Sequence, residues 1–294
     1  MNNPTNIREI DYEIILSFFE YLCSVASYEK AGEVLRHFKN LYIPHRLYKF
    51  YSLYENEEEV NEKKIKTLRN GKAYLSRHEK LNDPFEARGY YFDKEKIKPL
   101  RILRDSYERI IDIPRNILVQ SSFTSNDQNT SSMWAHYSNN YKGYCVAYNM
   151  DIIENLSLKN SIFKVQYVDH KINITDHMNS FFERAEKYLA ECEKKGLKNI
   201  DVEDISLLDE LALLINVKHK SWEYENEFKC LCDDRSFGEY IQAIPETMYI
   251  GMNCKENYKK ELILAASELN IPAYVMKPDY FSSEFELIRE ENKT

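Results

Sequence analysis

Residues 222–231 are the stretch of this chain whose residue types and spacing are best suited to chemistry. They include Trp222, Glu225, Glu227 and Lys229. In an extended strand, side chains two positions apart share a face, so Glu225, Glu227 and Lys229 would stand together. Two carboxylates beside a lysine suit the wall of a cleft better than a core strand. Carboxylates placed in this way can stabilise a developing cation or accept a proton.

Three further candidates lie in a loop and on a helix. Asp83 and Glu86 belong to an Asn-Asp-Pro-Phe-Glu loop and are candidate site acids. The more common role of such residues is in turns and caps, because Asx side chains bond nearby backbone groups. His136 lies on a predicted helix between aromatic residues, where a packed, hydrogen-bonded histidine is the alternative to a catalytic base.

Composition excludes several classes of protein. The chain has 294 residues, a formal net charge of -8 and only 7 glycines. The negative charge argues against sequence-independent binding to nucleic acid. Neither a GxGxxG nor a GxxxxGK motif occurs, which removes the common glycine-rich nucleotide folds.

The 6 cysteines are scattered without a CxxC pair, so we expect free thiols and no metal site. The spacing of Cys230 and Cys232 places both on one face of a strand. No apolar run is long enough to span a membrane, and no signal peptide is evident. The sequence therefore predicts a cytoplasmic protein that is not inserted in a membrane.

Apolar residues at helical spacing predict a pair of helices over residues 10–25 and 31–41. We expect residues 1–45 to form an N-terminal helical extension that covers one side of the main core. A homodimer, or a partner bound through these helices, is the alternative.

Residues 46–294 are predicted to form an α+β core domain, because strands and helices alternate without a regular βαβ rhythm. The strand candidates are 46–51, 72–76, 117–125, 144–148, 163–168, 225–231, 248–251, 273–276 and 285–288. The helix candidates are 55–68, 99–112, 131–141, 178–192, 204–219 and 255–269.

Four short boxes in a fixed order resemble an uncharacterised bacterial family, a domain of unknown function. They are Leu-Tyr-Lys at 47–49, Asn-Asp-Pro-Phe-Glu at 82–86, Trp-Ala-His-Tyr at 134–137 with Gly-Tyr-Cys at 143–145, and Trp-x-x-Glu-x-Glu at 222–227. This resemblance spans about residues 46–288. The N-terminal helices lie outside it.

A more distant resemblance bears on chemistry. A strand ending in Ser122, Thr124 and Ser125, followed by the Glu225-x-Glu227 pair, is similar to the ADP-ribosyltransferase superfamily. There, a first-strand Arg or His, a Ser-Thr-Ser-like strand and a Gln/Glu-x-Glu turn build an NAD site without a glycine-rich loop. The resemblance implies a mixed, largely antiparallel split sheet flanked by helices.

Four other residues enter the implied site. Trp134 and Tyr137 lie on the helix that follows the hydroxyl-rich strand. Tyr48 and Lys49 occupy the first strand, where this chain departs from the usual Arg or His. The resemblance implies that Tyr48 stacks on nicotinamide, and that Lys49 or Lys229 pairs with phosphate.

The implied reaction breaks the bond between nicotinamide and ribose of NAD. Glu227 would stabilise the oxocarbenium-like cation, and Glu225 would accept a proton from the nucleophile. Ser122 or Thr124 would hold the ring or the second carboxylate. NAD would be the substrate, with an unknown macromolecular acceptor and no metal. The resemblance implies an NAD-dependent ADP-ribosyltransferase or NAD glycohydrolase, acting as a toxin or a phage-defence effector.

Two other interpretations use the same residues. Glu227-Phe228-Lys229 fits the acid-x-Lys element of a Mg2+-dependent nuclease, with Asp83 as a second ligand. Alternatively, Trp222 and the two glutamates belong to a structural network, or to a non-catalytic interaction domain, since paired carboxylates are often solvated or salt-bridged.

Overall fold

A computed structural model of the protein describes residues 12–26, 28–81, 83–97, 118–196, 212, 216–233, 237–284 and 286–291. The chain forms two compact units. The first comprises Met1–Tyr42, Arg77–Val119 and Phe163–Glu223, and the second comprises Ile43–Ser76, Gln120–Ile162 and Tyr224–Thr294. The predicted boundary at residue 45 stays a prediction.

Seven α-helices are named here in chain order. They are α1 (Tyr12–Val25), α2 (Tyr28–Asn40), α3 (Glu58–Arg69), α4 (Ser131–Tyr137), α5 (Leu156–Ser161), α6 (Thr175–Lys194) and α7 (Glu256–Glu268). Short 3-10 helices cover His78–Lys80, Ile153–Asn155 and Lys220–Glu225. No described helix is both long enough and apolar enough to cross a membrane.

The strands of the first half of the chain are β1 (Arg46–Tyr51), β2 (Lys72–Tyr74), β3 (Ser76–Arg77), β4 (Tyr90–Tyr91), β5 (Leu118–Thr124), β6 (Tyr144–Asn149) and β7 (Ile162–Lys164). Those that follow are β8 (Gln166–Val168), β9 (Ile172–Asn173), β10 (Val217–His219), β11 (Glu227–Asp233), β12 (Tyr240–Gln242), β13 (Pro245–Ile250), β14 (Ala273–Pro278) and β15 (Leu287–Glu291).

The first unit contains the predicted N-terminal helix pair. Helices α1 and α2 pack through Phe18 and Phe38, whose ring centroids lie 5.5 Å apart. Two small parallel ladders accompany them, β4 with β9 and β8 with β10. In the second ladder Val217 pairs with Gln166, and the Asn216 amide donates to the Lys164 carbonyl. Helices α1 and α2 confirm the predicted N-terminal helix pair. Whether the pair covers the main core or binds a partner stays a prediction.

The second unit is built on a large mixed sheet in the order β15-β14-β13-β6-β1-β5-β11. Within this sheet the β1–β5, β1–β6, β6–β13 and β14–β15 pairs are antiparallel, and the β13–β14 pair is parallel. Strand β6 is central and almost wholly buried, as expected for a strand whose sequence is Tyr-Cys-Val-Ala-Tyr. The predicted α+β class with a mixed, largely antiparallel sheet is confirmed.

One face of this sheet is an aromatic core. It is built around Tyr48, Phe50, Cys145, Trp134 and Tyr249. Helix α4 contributes Trp134, which is fully buried and meets the Phe50 ring edge-on at 5.2 Å. Burying a side chain of this size contributes about 3 kcal/mol by transfer alone. The core therefore fixes α4 against the strand that carries Tyr48.

The end of α4 requires a glycine. Residues 139–141 adopt left-handed backbone conformations, and the chain then returns to the sheet at Gly143. A Cβ atom at Gly143 would lie 1.8 Å from the Tyr51 carbonyl oxygen, so no side chain fits there.

Two helix predictions meet different outcomes. The predicted helix at 99–112 lies outside the described residues. The predicted helix at 204–219 is wrong at its end, because residues 217–219 form β10. The pairing of β10 with β8 satisfies backbone groups that helical periodicity alone would have assigned to a helix.

Candidate functional site

Three neighbouring strands of the second unit carry the residues singled out by the sequence. Strand β1 bears Tyr48 and Lys49, β5 bears Ser122 and Thr124, and β11 begins with Glu227, in the order β1-β5-β11. Tyr48 lies directly opposite Thr124 in the antiparallel β1–β5 pair. Directly opposed residues place their side chains on the same face of a sheet. The fold therefore brings three distant segments of the chain side by side.

The two glutamates do not lie on one strand, which corrects the expected geometry of residues 225–231. Glu225 ends a 3-10 helix, Asn226 has a φ of 44°, and β11 begins at Glu227. Asparagine tolerates this left-handed conformation better than most residues. The Asn226 amide donates to the Asn126 side-chain oxygen at 2.8 Å, and the Asn126 amide donates to the Tyr224 carbonyl at 2.7 Å. These bonds stabilise a turn, so alternation along a strand fails between the two carboxylates.

Glu225 is held in place by α4 and β5. It is 5% exposed, and its carboxylate accepts a hydrogen bond from the Tyr137 hydroxyl. The Thr124 hydroxyl donates to the Glu225 carbonyl oxygen at 2.5 Å. Burial, together with the hydrogen bond to the Glu225 carboxylate, raises the pKa of Tyr137. Tyr137 therefore stays protonated and continues to donate to Glu225.

Exposed residues surround this glutamate. Ser125, His136, Tyr224 and Asn226 are all exposed, and Tyr137 is partly buried between them and Glu225. The His136 ring centroid lies 6.1 Å from that of Tyr224 and 6.4 Å from that of Tyr137. We call His136, Tyr224, Ser125 and Asn226 the rim. Solvent reaches the neighbourhood of Glu225 across this rim.

Glu227 and Lys49 form a second charged group, on β11 and β1. Glu227 is 5% exposed. The Lys49 ammonium donates to the Ser122 carbonyl at 2.9 Å and lies 5.4 Å and 5.3 Å from the ring centroids of Tyr51 and Phe123. Burial lowers the pKa of Lys49 to about 8, although the charge of Glu227 opposes this shift. Lys49 is thus a cation enclosed by rings and a carbonyl, with Glu227 as its nearby anion.

Tyr48 and Trp134 are core residues. Tyr48 is 8% exposed, and its ring centroid lies 6.5 Å from that of Tyr249. Burial, and then the neighbouring Tyr249, raise the pKa of Tyr48 to about 12. The Trp134 indole stacks on Tyr141 at 5.8 Å and donates to the Gln128 carbonyl at 2.8 Å. The rings of both residues are packed in the core. Stacking of Tyr48 on nicotinamide, and a place for Trp134 in the NAD site, stay predictions.

Asp83, Glu86 and Trp222 belong to the first unit. A carboxylate oxygen of Asp83 accepts from the Phe85 backbone N–H at 2.9 Å, which is the turn role of an Asx residue. Glu86 and Lys218 are both buried and form an ion pair at 3.8 Å. The Lys218 ammonium also lies 5.3 Å from the Trp222 ring centroid. These contacts are those of a local structural network.

Lys229 lies within β11 and is 1% exposed. Lys229 shares a strand with Glu227, as the nuclease interpretation requires. Asp83, the second ligand in that interpretation, belongs to the first unit. Within the described ranges, no three His, Cys, Asp or Glu side chains are grouped as ligands of a metal ion would be.

Sequence reasoning missed three contributors to this region. Asn126 and Asn226 shape the turn, and Tyr224 forms part of the rim. An asparagine between two glutamates was a usable signal for a left-handed turn. The pairing of Asn226 with a residue 100 positions earlier left no trace in the sequence.

Residues 133–230 match a family model described as a protein of unknown function (DUF2971). The match contains the Trp-Ala-His-Tyr, Gly-Tyr-Cys and Trp-x-x-Glu-x-Glu boxes. The expected resemblance to an uncharacterised domain family is confirmed over this third of the chain. Comparison with curated proteins gives no match, and comparison with solved structures gives none either.

Proposed function

We propose that this protein binds NAD at the rim and breaks the bond between nicotinamide and ribose. The ADP-ribosyl group then passes to water or to a macromolecular acceptor. The observation that carries the proposal is the strand order β1-β5-β11, which places side by side the strands of Lys49, Ser122 and Glu227 from three distant segments. The superfamily that the sequence resembles uses a first strand, a hydroxyl strand and a Glu-x-Glu turn in the same way.

The two glutamates have different tasks in the proposed reaction. As the glycosidic C–N bond breaks, its electron pair leaves with nicotinamide and the ribose carbon becomes cationic. The Glu227 carboxylate stabilises that cation electrostatically. An oxygen nucleophile then bonds to the ribose carbon, and its proton passes to Glu225.

Neighbouring residues orient Glu225 and place a positive charge near Glu227. Tyr137 fixes the orientation of the Glu225 carboxylate. Lys49 supplies a positive charge to Glu227. Ser122 is partly exposed and Ser125 is exposed, so their hydroxyls are available to ribose. In this proposal the carboxylates stabilise the ribosyl cation and accept the proton, and the serine hydroxyls bind the ribose.

The burial of Glu227 adds one requirement. Only 5% of its surface is exposed, so NAD reaches the carboxylate only if neighbouring side chains move. In this proposal those side chains include His136 and Tyr224 of the rim, which are exposed. In this proposal the activity is cytoplasmic and belongs to a toxin or a phage-defence effector, on the strength of the sequence resemblance alone.

The test is nicotinamide release from NAD by the purified protein. We expect Glu227→Gln, which keeps the shape and removes the charge, to lower the rate about 100-fold or more. Glu223→Gln is the matched control, because Glu223 is an exposed glutamate four positions earlier. Circular dichroism verifies that both variants fold. Absence of release by the folded wild type, or equal rates in Glu227→Gln and wild type, would overturn the proposal.

A further inference from the structure

Strand β11 carries a pair of thiols in contact. Cys230 and Cys232 are two positions apart, and their sulfur atoms lie 3.6 Å from each other. Both are free cysteines, with 0% and 3% of their surfaces exposed. Cys230 lies three residues after Glu227 in the same strand. Neither thiol has a task in the proposed reaction.

The surroundings favour ionisation of this pair. A hydrogen bond from the Cys230 thiol lowers the pKa of Cys232, and a second from the Ser161 hydroxyl adds to this, against the opposing effect of burial. The Lys49 ammonium also lies close enough to the pair to interact electrostatically with Cys230. A thiolate is the form that reacts with oxidants. The contact between the two sulfur atoms and the lowered pKa of Cys232 together favour Cys232 as the attacking sulfur and Cys230 as the resolving one.

The backbone permits a bond between the two sulfur atoms. Two steps along an extended strand separate Cα atoms by about 6.6 Å. Disulfides tolerate Cα separations up to about 6.8 Å and join sulfur atoms at about 2.05 Å. Closing the bond thus requires the sulfur atoms to approach and the strand to bend. A disulfide at the limit of its geometry is strained and easily reduced, so its formation is reversible.

We propose that Cys230 and Cys232 are a redox modification site, closed to a disulfide by hydrogen peroxide and reopened by thiols. The Cys232 thiolate attacks one peroxide oxygen, the O–O bond breaks, and hydroxide leaves to take up a proton. The Cys230 thiol then attacks the sulfenic sulfur, and its proton leaves with the departing oxygen as water. Two thiols and one peroxide yield one disulfide and two waters. Peroxide is small and uncharged, which suits a buried pair.

Oxidation affects the candidate site by changing the conformation of β11. The bend that closes the disulfide occurs in β11, whose first residue is Glu227. This consequence rests on the proposed function, whereas formation of the disulfide does not. A disulfide without any change in nicotinamide release would thus remove only the link to the site.

The test is peroxide treatment of the folded wild-type protein. Accessible thiols are then alkylated, the chain is unfolded, and the digest is read by mass spectrometry. We expect a Cys230–Cys232 disulfide that dithiothreitol fully reverses. Cys230→Ser should abolish it, and Cys254→Ser, at a partly exposed cysteine elsewhere in the same unit, should leave its yield unchanged.

Two results would overturn the proposal. One is folded wild-type protein in which Cys254 is oxidised while Cys230 and Cys232 remain thiols. The other is an equal yield of the disulfide in urea-unfolded chain, since the fold would then contribute nothing to the pairing. Both arms use wild-type protein, so they decide the matter even where Cys230→Ser fails to fold.

Discussion

Replacing Lys49 by Met tests the enclosed cation directly. Methionine is close to lysine in length and is unbranched, but it cannot be protonated. Burial lowers the pKa of Lys49 from 10.5 to about 8. Between pH 8 and pH 10.5 the unfolded chain therefore holds a proton that the folded protein has released. In that window the Lys49 residue makes the free energy of unfolding increase with pH.

The magnitude follows from the size of the shift. The fall in the pKa of Lys49 from 10.5 to about 8 corresponds to about 3 kcal/mol in the free energy of unfolding. The destabilisation by Lys49 is fully present below pH 8 and is removed as pH rises to 10.5. The hydrogen bond from Lys49 to the Ser122 carbonyl is lost in Lys49→Met at every pH and adds only a constant offset.

The assay is urea unfolding of wild type and Lys49→Met across pH 7 to pH 11. We expect the free energy of unfolding of the wild type, minus that of Lys49→Met, to rise by about 3 kcal/mol over this range. Buried tyrosines such as Tyr48, with a pKa raised to about 12, destabilise both proteins as they ionise at high pH. Their effect cancels in the difference.

Lys260→Met is the matched control, because it makes the same substitution at an exposed lysine. The difference in the free energy of unfolding between wild type and Lys260→Met should not change with pH. The reasoning is refuted if the Lys49→Met difference is flat as well, since the ammonium would then be hydrated rather than enclosed.

Three further substitutions test other contacts by urea unfolding. Gly143→Ala should lower the free energy of unfolding by about 3 kcal/mol or more, because its Cβ would lie 1.8 Å from a backbone oxygen of β1. A urea midpoint equal to that of the wild type would contradict this crowding. Glu86→Gln should cost about 3 kcal/mol, because it leaves the buried Lys218 without its anion at 3.8 Å, and a neutral result would mean that the pair is hydrated. Tyr137→Phe should cost about 1–3 kcal/mol by removing the donor to Glu225, whereas Tyr280→Phe, at a tyrosine 85% exposed, should change stability by less than about 0.5 kcal/mol.

The sequence alone determined elements whose signal is local. Helical spacing located α1, α2 and α7, and the apolar run from Tyr144 to Tyr148 located the central strand β6. The α+β class followed from the irregular alternation of such elements. The sequence carries these signals because the direction of a side chain depends on the backbone conformation of the few residues around it.

Local signals failed where a contact from elsewhere in the chain competed. Residues 217–219 continue a helical pattern but pair with β8 instead. Glu225 continues an alternating pattern, but Asn226 turns the chain, and its amide bonds Asn126. In each case a distant partner satisfied the backbone or side chain better than the local pattern.

The tertiary structure alone decided the surroundings of the acidic stretch from which the chemistry was inferred. The sequence supplied Glu227, Lys49 and Cys230, but their proximity depends on the strand order β1-β5-β11. Burial then gave these groups properties that their residue types do not have, such as a pKa of about 8 for a lysine. Strand pairing and desolvation depend on which segments meet, and that is settled by the fold as a whole.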